Sequence, residues 1–168
     1  IHHYGSGINS IPVLAQYREH PDDFYLLRIG YGGSMGGLSN IDEEGFPSAA
    51  FHSYPQNLKW DTYIGDYGPN FFGHAVTTGT YVINHWDYGW QAFGGNVGGV
   101  NIVGSLNTTE MTVGIKPLDS LRRRIYIAPL GLYLTLDAGT FESVAINPTT
   151  KAVQVTLSPP NAFTPNAR

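Results

Sequence analysis

A chain of 168 residues with 42% hydrophobic content is long enough to bury one core, and its formal charge of -4 leaves no basic surface to displace counterions from nucleic acid. It has no cysteine, which rules out a disulfide, a thiolate nucleophile and a Cys-ligated zinc, and it has no apolar run of the roughly 18 residues that a membrane-spanning helix needs. Charged residues make up 13%, about half the usual soluble share, while Gly (21) and Tyr (11) are over-used, a composition often met in secreted carbohydrate-active proteins.

From the amino terminus, IHHYGSG offers neither an initiator Met nor a signal-peptide pattern, which reads as a processed chain or one cut from something longer. Ile11, Leu14 and Tyr17, then Phe24, Leu27, Ile29 and Tyr31, recur at roughly helical intervals, and Asn9 or Ser10 ahead of Pro12 marks the expected helix start. His20-Pro21-Asp22-Asp23 breaks and recaps the chain. The glycine-rich GYGGSMGGLSN lacks both the Lys-Ser/Thr ending and the preceding buried strand of a phosphate loop, so its glycines are expected to serve close backbone packing.

Residues 46–74, FPSAAFHSYPQNLKWDTYIGDYGPNFFGH, hold eight aromatic rings, two His, two Asp and one Lys in a stretch too broken by Pro and Gly for an ordinary core element. That mixture suits a sugar platform: rings stack on apolar pyranose faces, while carboxylates, amides and imidazoles take hydroxyls and move protons. A further helix is expected over PNFFGHAVTTGTYVINH, with Pro69 in its first turn and Phe72, Val76, Thr80 and Ile83 on one face. The Gly/aromatic connection WDYGWQAFGGNVGGV follows, and the periodicity changes near Gly98-Gly99, where the domain boundary is placed.

From Val100 onward, VNIVGSL, EMTVGIK, RRRIYIAP, GLYLTLD, FESVAIN and KAVQVTLS are short, rich in β-branched and aromatic residues, and spaced by turns such as Asp137-Ala138-Gly139. The expected fold class is α+β: a helix-and-loop segment over residues 1–98, an antiparallel β-sandwich over 99–158 and a proline-rich tail over 159–168.

The stretch DDFYLLRIGYGGSMGGLSNIDEEGFPSAAFHSYPQNLKWDTYIGDYGPNFFGHA, followed by RRRIYIAPLGLYLTLDAGTFESVAI, resembles the carboxy-terminal part of large secreted fungal and bacterial proteins of an uncharacterised domain family. These combine a helical toroid of the (α/α)6 kind with β-sandwich domains. The resemblance implies an extracellular carbohydrate-active enzyme, with residues 1–98 completing the toroid. Its partner would be the missing amino-terminal portion, retained as a separate chain after cleavage. No catalytic residue carries over from the resemblance.

The candidate chemistry therefore comes from the residues themselves. Asp61 and Asp66, in WDTYIGDY, are the first candidates for the two carboxyl groups of a glycoside hydrolase, although Asp66-Tyr67-Gly68-Pro69 also reads as a helix start. Glu43 and Glu44 offer another carboxylate, because adjacent like charges raise one pKa toward the range a general acid needs. His52 and Tyr54, two apart on an extended segment, form the proton-moving pair of the alternative, a polysaccharide lyase. Trp60, Tyr63, Tyr67, Asn70 and His74 are the candidate sugar-binding residues, and Trp86, Tyr88 and Trp90 are further rings that suit subsites. Asn107, in Asn107-Thr108-Thr109, is a sequon for N-glycosylation.

No histidine pair falls at the H-x-x-x-H spacing, and neither Asp22-Asp23 nor Asp42-Glu43-Glu44 follows the EF-hand order, so no metal and no cofactor are expected. Hydrolysis is preferred to elimination because residues 1–99 carry nine acids against three Lys/Arg, a balance that repels a uronate polymer. From another class, a non-catalytic carbohydrate-binding or structural module fits the same aromatics.

Overall fold

The structure is a computed structural model that describes residues 6–36, 38, 67–105 and 108–159, with residues 6, 67–71, 100–105 and 108–110 described in backbone only. The chain divides into two compact units, Ile1–Thr78 and Gly79–Arg168. The division lies upstream of the change in periodicity at Gly98-Gly99.

In the first unit, three α-helices are described: α1 (Ser6–Glu19), α2 (Phe24–Gly36) and α3 (Tyr67–Thr77). The start expected at Asn9 or Ser10 lies instead at Ser6, which leaves Pro12 inside α1. Proline there removes one helical hydrogen bond, and the side chains of Ile8 and Pro12 at that turn are exposed. The recapping at His20–Asp23 is as expected. Asp23 Oδ1 accepts from the backbone N–H groups of Tyr25 (3.1 Å) and Leu26 (3.2 Å), the acceptor role of an N-cap.

Glycines set how closely these helices approach. A Cβ on Gly30 of α2 would lie 2.6 Å from Leu14 Cγ on α1, and one on Gly73 of α3 would lie 2.1 Å from the Gly7 carbonyl carbon. The glycine-rich segment therefore ends a helix and admits its neighbour's side chain, in keeping with its composition. Leu14, Tyr17 and Leu27 are fully buried in this unit.

The helix expected over residues 69–85 stops at Thr77, and Thr80–His85 is a strand. Phe72, Val76, Thr80 and Ile83 share a helical period by coincidence. Thr-Tyr-Val-Ile is β-branched and aromatic, and Gly79 lies so close to the Arg124 carbonyl oxygen that a Cβ would sit 2.8 Å from it.

The second unit holds β1 (Thr80–His85), β2 (Gly89–Phe93), β3 (Gly95–Ser105), β4 (Thr108–Pro117), β5 (Arg124–Ile127), β6 (Leu132–Thr135), β7 (Phe141–Asn147) and β8 (Ala152–Leu157). The six segments expected from Val100 onward correspond to β3 to β8, and the Gly/aromatic connection before them supplies β2 and the start of β3. Two four-stranded sheets form, in the orders β2-β1-β5-β6 and β3-β4-β7-β8. Every pairing is antiparallel except β1 with β5. The fold is thus α+β with two antiparallel-rich sheets. The described helices do not make up an (α/α)6 toroid.

Both sheets feed one buried cluster: Val82, Ile125 and Ile127 from the first, and Val113, Ile115, Phe141, Val144 and Ile146 from the second. Phe141 and Val144 are three apart, yet both point inward. A register shift between Phe141 and Ser143 supplies the extra residue that restores the alternation. On the other face of the first sheet, Tyr81, Tyr126 and Tyr133 sit side by side across β1, β5 and β6, with ring centroids 6.3 Å apart and edge-to-face geometry at each step.

Candidate functional site

Asp61, Asp66, Glu43, Glu44, His52, Tyr54, Trp60, Tyr63 and Asn107 lie outside the described residues. Tyr67 and Asn70 fall in the first turn of α3, where only the backbone is described. His74 alone among these candidates has a described side chain. It is 8% exposed, and its Nδ1 lies 2.8 Å from the Ser34 carbonyl oxygen. A carbonyl oxygen only accepts, so Nδ1 carries the proton and the ring ties α3 to α2.

Around that contact the three helices share a buried set of hydroxyls. Thr77 Oγ1 of α3 lies 2.6 Å from the Gly73 carbonyl oxygen, 2.8 Å from Ser34 Oγ of α2 and 3.2 Å from Ser10 Oγ of α1. One hydroxyl proton serves one acceptor at a time, so Thr77 chooses between Gly73 and Ser34, while the Ser10 hydroxyl donates to the Gly7 carbonyl oxygen within α1. The nearby cavity of about 380 Å³ is lined, among the described residues, by Asn9, Ser10, Val13, Ile29, Gly32 and Gly33, none of them titratable. This geometry makes a helix junction.

The surface with features of a binding site is the β1–β2 hairpin tip. His85 pairs with Gly89, so Trp86, Asp87 and Tyr88 form a three-residue loop, and Gly89 at φ +67° supplies the left-handed position that such loops require. Asp87 donates its backbone N–H to His85 Nδ1 at 3.1 Å, which fixes the imidazole and, in the neutral ring, places the proton on Nε2. Trp86 stacks on that imidazole with centroids 5.2 Å apart and planes 24° apart, and Tyr88 lies tilted against it at 5.0 Å and 33°. Despite this ordering, Trp86 is 81% exposed and Tyr88 73% exposed.

Three rings are therefore held in place while two of them face solvent. Their arrangement can stack on a flat apolar ligand face, and the exposed Asp87 carboxylate beside them can accept from hydroxyl groups. Trp90, the other ring expected to line a subsite, packs against the sheet core instead. A family model matches residues 1–168 from end to end. The chain belongs to DUF5695, a family of unknown function. Neither a curated protein nor a solved structure matches this DUF5695 chain.

Within this member of DUF5695, His85 is a candidate residue that sequence patterns alone do not bring forward, because its spacing to the other histidines suits no metal. The signal that marks it is the run His-Trp-Asp-Tyr-Gly, in which a glycine closes a loop flanked by rings. Among the described residues, no group of three or more His, Asp or Glu gathers as metal ligands would, and no helix is long and apolar enough to cross a membrane.

Proposed function

We propose that this chain binds glycan through the ring cluster at the β1–β2 hairpin tip, as part of a secreted carbohydrate-active protein. The observation that carries the reading is the exposure of Trp86 (81%) and Tyr88 (73%) on an imidazole that a backbone hydrogen bond holds in place. Scattered exposed rings need no explanation, but adjacent, mutually ordered ones mark a contact surface. Residues 79–115 contain no Lys or Arg, so neither strand of this hairpin carries the cations that a lipid-headgroup or nucleic-acid contact requires.

The enzyme to which the surface belongs is read as a glycoside hydrolase, with Asp61 and Asp66 as acid and base or nucleophile and Glu43 and Glu44 as the next carboxylates to test. In this reading the two sheets form an antiparallel β-sandwich, and the helices contribute to an (α/α)6 toroid. An amino-terminal portion of the same protein completes that toroid as a separate chain, and native mass spectrometry of material from the source would show it bound.

Affinity electrophoresis of the chain in gels containing soluble neutral polysaccharides tests the binding. Trp86→Ala and Tyr88→Ala should each weaken retardation by about tenfold, the equivalent of about 1.4 kcal/mol. Unchanged retardation removes the proposal. Loss of a concentration-dependent dimer in place of glycan retention would reassign the rings to a protein interface.

A further inference from the structure

The same hairpin tip carries information about the charge of its ligand. Asp87 lies between Trp86 and Tyr88 in the loop and is exposed. Its backbone N–H is engaged with His85 Nδ1, and no described residue hydrogen-bonds or ion-pairs with its carboxylate. No Lys or Arg occurs between residues 79 and 115, so neither strand of the hairpin brings a cation to the rings. The first basic residue of the neighbouring β5 is Arg124, whose successor Ile125 pairs with Thr80, at the end of β1 opposite to the tip.

Resting on the glycan-binding reading above, the geometry points to a neutral, hydroxyl-rich glycan as the ligand of this tip, with the Asp87 carboxylate as the group that selects it. An ionised carboxylate only accepts. It can take two sugar hydroxyls at once while the adjoining rings cover the apolar face of the pyranose. A uronate or sulfated chain offers that carboxylate another anion with no cation from either strand of the hairpin to bridge the two, and the whole chain adds a formal charge of -4. Stacking alone is indifferent to ligand charge. Asp87 turns an unselective pair of rings into one that discriminates.

The experiment is affinity electrophoresis of the 168-residue chain at low ionic strength, where a single surface charge is little screened. Laminarin and galactomannan serve as neutral probes, and polygalacturonate and alginate as anionic ones. The neutral polymers should retard the chain and the anionic ones should not. Asp87→Asn should weaken retention on the neutral polymers by about fivefold, because an amide replaces a charged acceptor. It should also raise retention on polygalacturonate.

Glu142→Gln, on β7 away from the tip, makes the same change in net charge and should alter neither result. Equal retardation by polygalacturonate, or an Asp87→Asn chain that behaves as Glu142→Gln does, overturns the inference while leaving glycan binding intact. If Trp86→Ala leaves every retardation unchanged, the binding reading itself fails. The two failures are thereby separated.

Discussion

At Asp119 one buried carboxylate serves three donors, and their proton count decides what a substitution does. Oδ1 accepts from the backbone N–H groups of Leu121 (3.1 Å) and Arg122 (2.7 Å), and Oδ2 lies 3.1 Å from Thr80 Oγ1. The Thr80 hydroxyl also lies 3.0 Å from the Gly94 carbonyl oxygen, so its single proton must choose between two acceptors. An asparagine would keep Oδ1 for the two amides and donate its Nδ2 proton to Thr80, freeing the hydroxyl for Gly94. Asp119→Asn is therefore expected to fall within about 0.5 kcal/mol of the parent in urea denaturation, and Asp119→Ala to cost about 3 kcal/mol by stranding the same donors. An asparagine variant as damaged as the alanine one would show that the charge, not the hydrogen bonding, holds the Asp119–Arg122 loop. Two of its partners are local amides that any turn aspartate could take, and the side-chain partner that distinguishes it, Thr80, lies 39 residues away in the chain, so nothing in the sequence singles out this aspartate.

Among the helices, glycine content alone says little; what each glycine faces decides its role. Gly73 meets the backbone of Gly7, Gly30 meets the Leu14 side chain, and a methyl group added at Gly32 of α2 would meet nothing within 4 Å. Gly73→Ala should destabilise the helical unit by about 3 kcal/mol or more, because backbone cannot rotate out of the way as a side chain can. Gly30→Ala should cost less, about 1–3 kcal/mol, since Leu14 can shift. Gly32→Ala should stabilise by about 1 kcal/mol, the helix-propensity difference alone. Far-UV circular dichroism during chemical unfolding reads all three, and an unchanged midpoint for Gly73→Ala would mean that α1 and α3 do not touch at that crossing. The glycine-rich composition announces close packing, and strand-rich periodicity announces β3 to β8, because both are local signals. The α3–β1 junction escapes the sequence for the opposite reason: a helical spacing of four apolar and polar residues runs by chance into a β-branched strand, one of whose two partners, β5, lies more than forty residues on.

For the whole molecule, the two units divide the proposed labour. Asp61 and Asp66 fall in the sequence range of the first unit, Ile1–Thr78, and Trp86 and Tyr88 in that of the second, Gly79–Arg168. Binding is assigned to the hairpin rings, and catalysis to the ring-and-acid cluster of residues 46–74. If the hydrolase reading holds, the two functions come apart on mutation. In protein from the native source, Asp61→Asn with Asp66→Asn should lower sugar release by about 10³-fold and leave glycan retention unchanged, because an amide preserves shape but neither donates nor takes the proton that glycoside cleavage requires. Trp86→Ala should do the reverse: retention of polysaccharide falls, while turnover of a short oligosaccharide is kept. A reducing-sugar assay run beside affinity electrophoresis measures both. Turnover that survives the double Asn substitution removes the two aspartates from catalysis, and an unsaturated, ultraviolet-absorbing product would transfer the chemistry to elimination by His52 and Tyr54. Retention without turnover by any variant or by the parent would leave a binding module, for which the hairpin rings suffice.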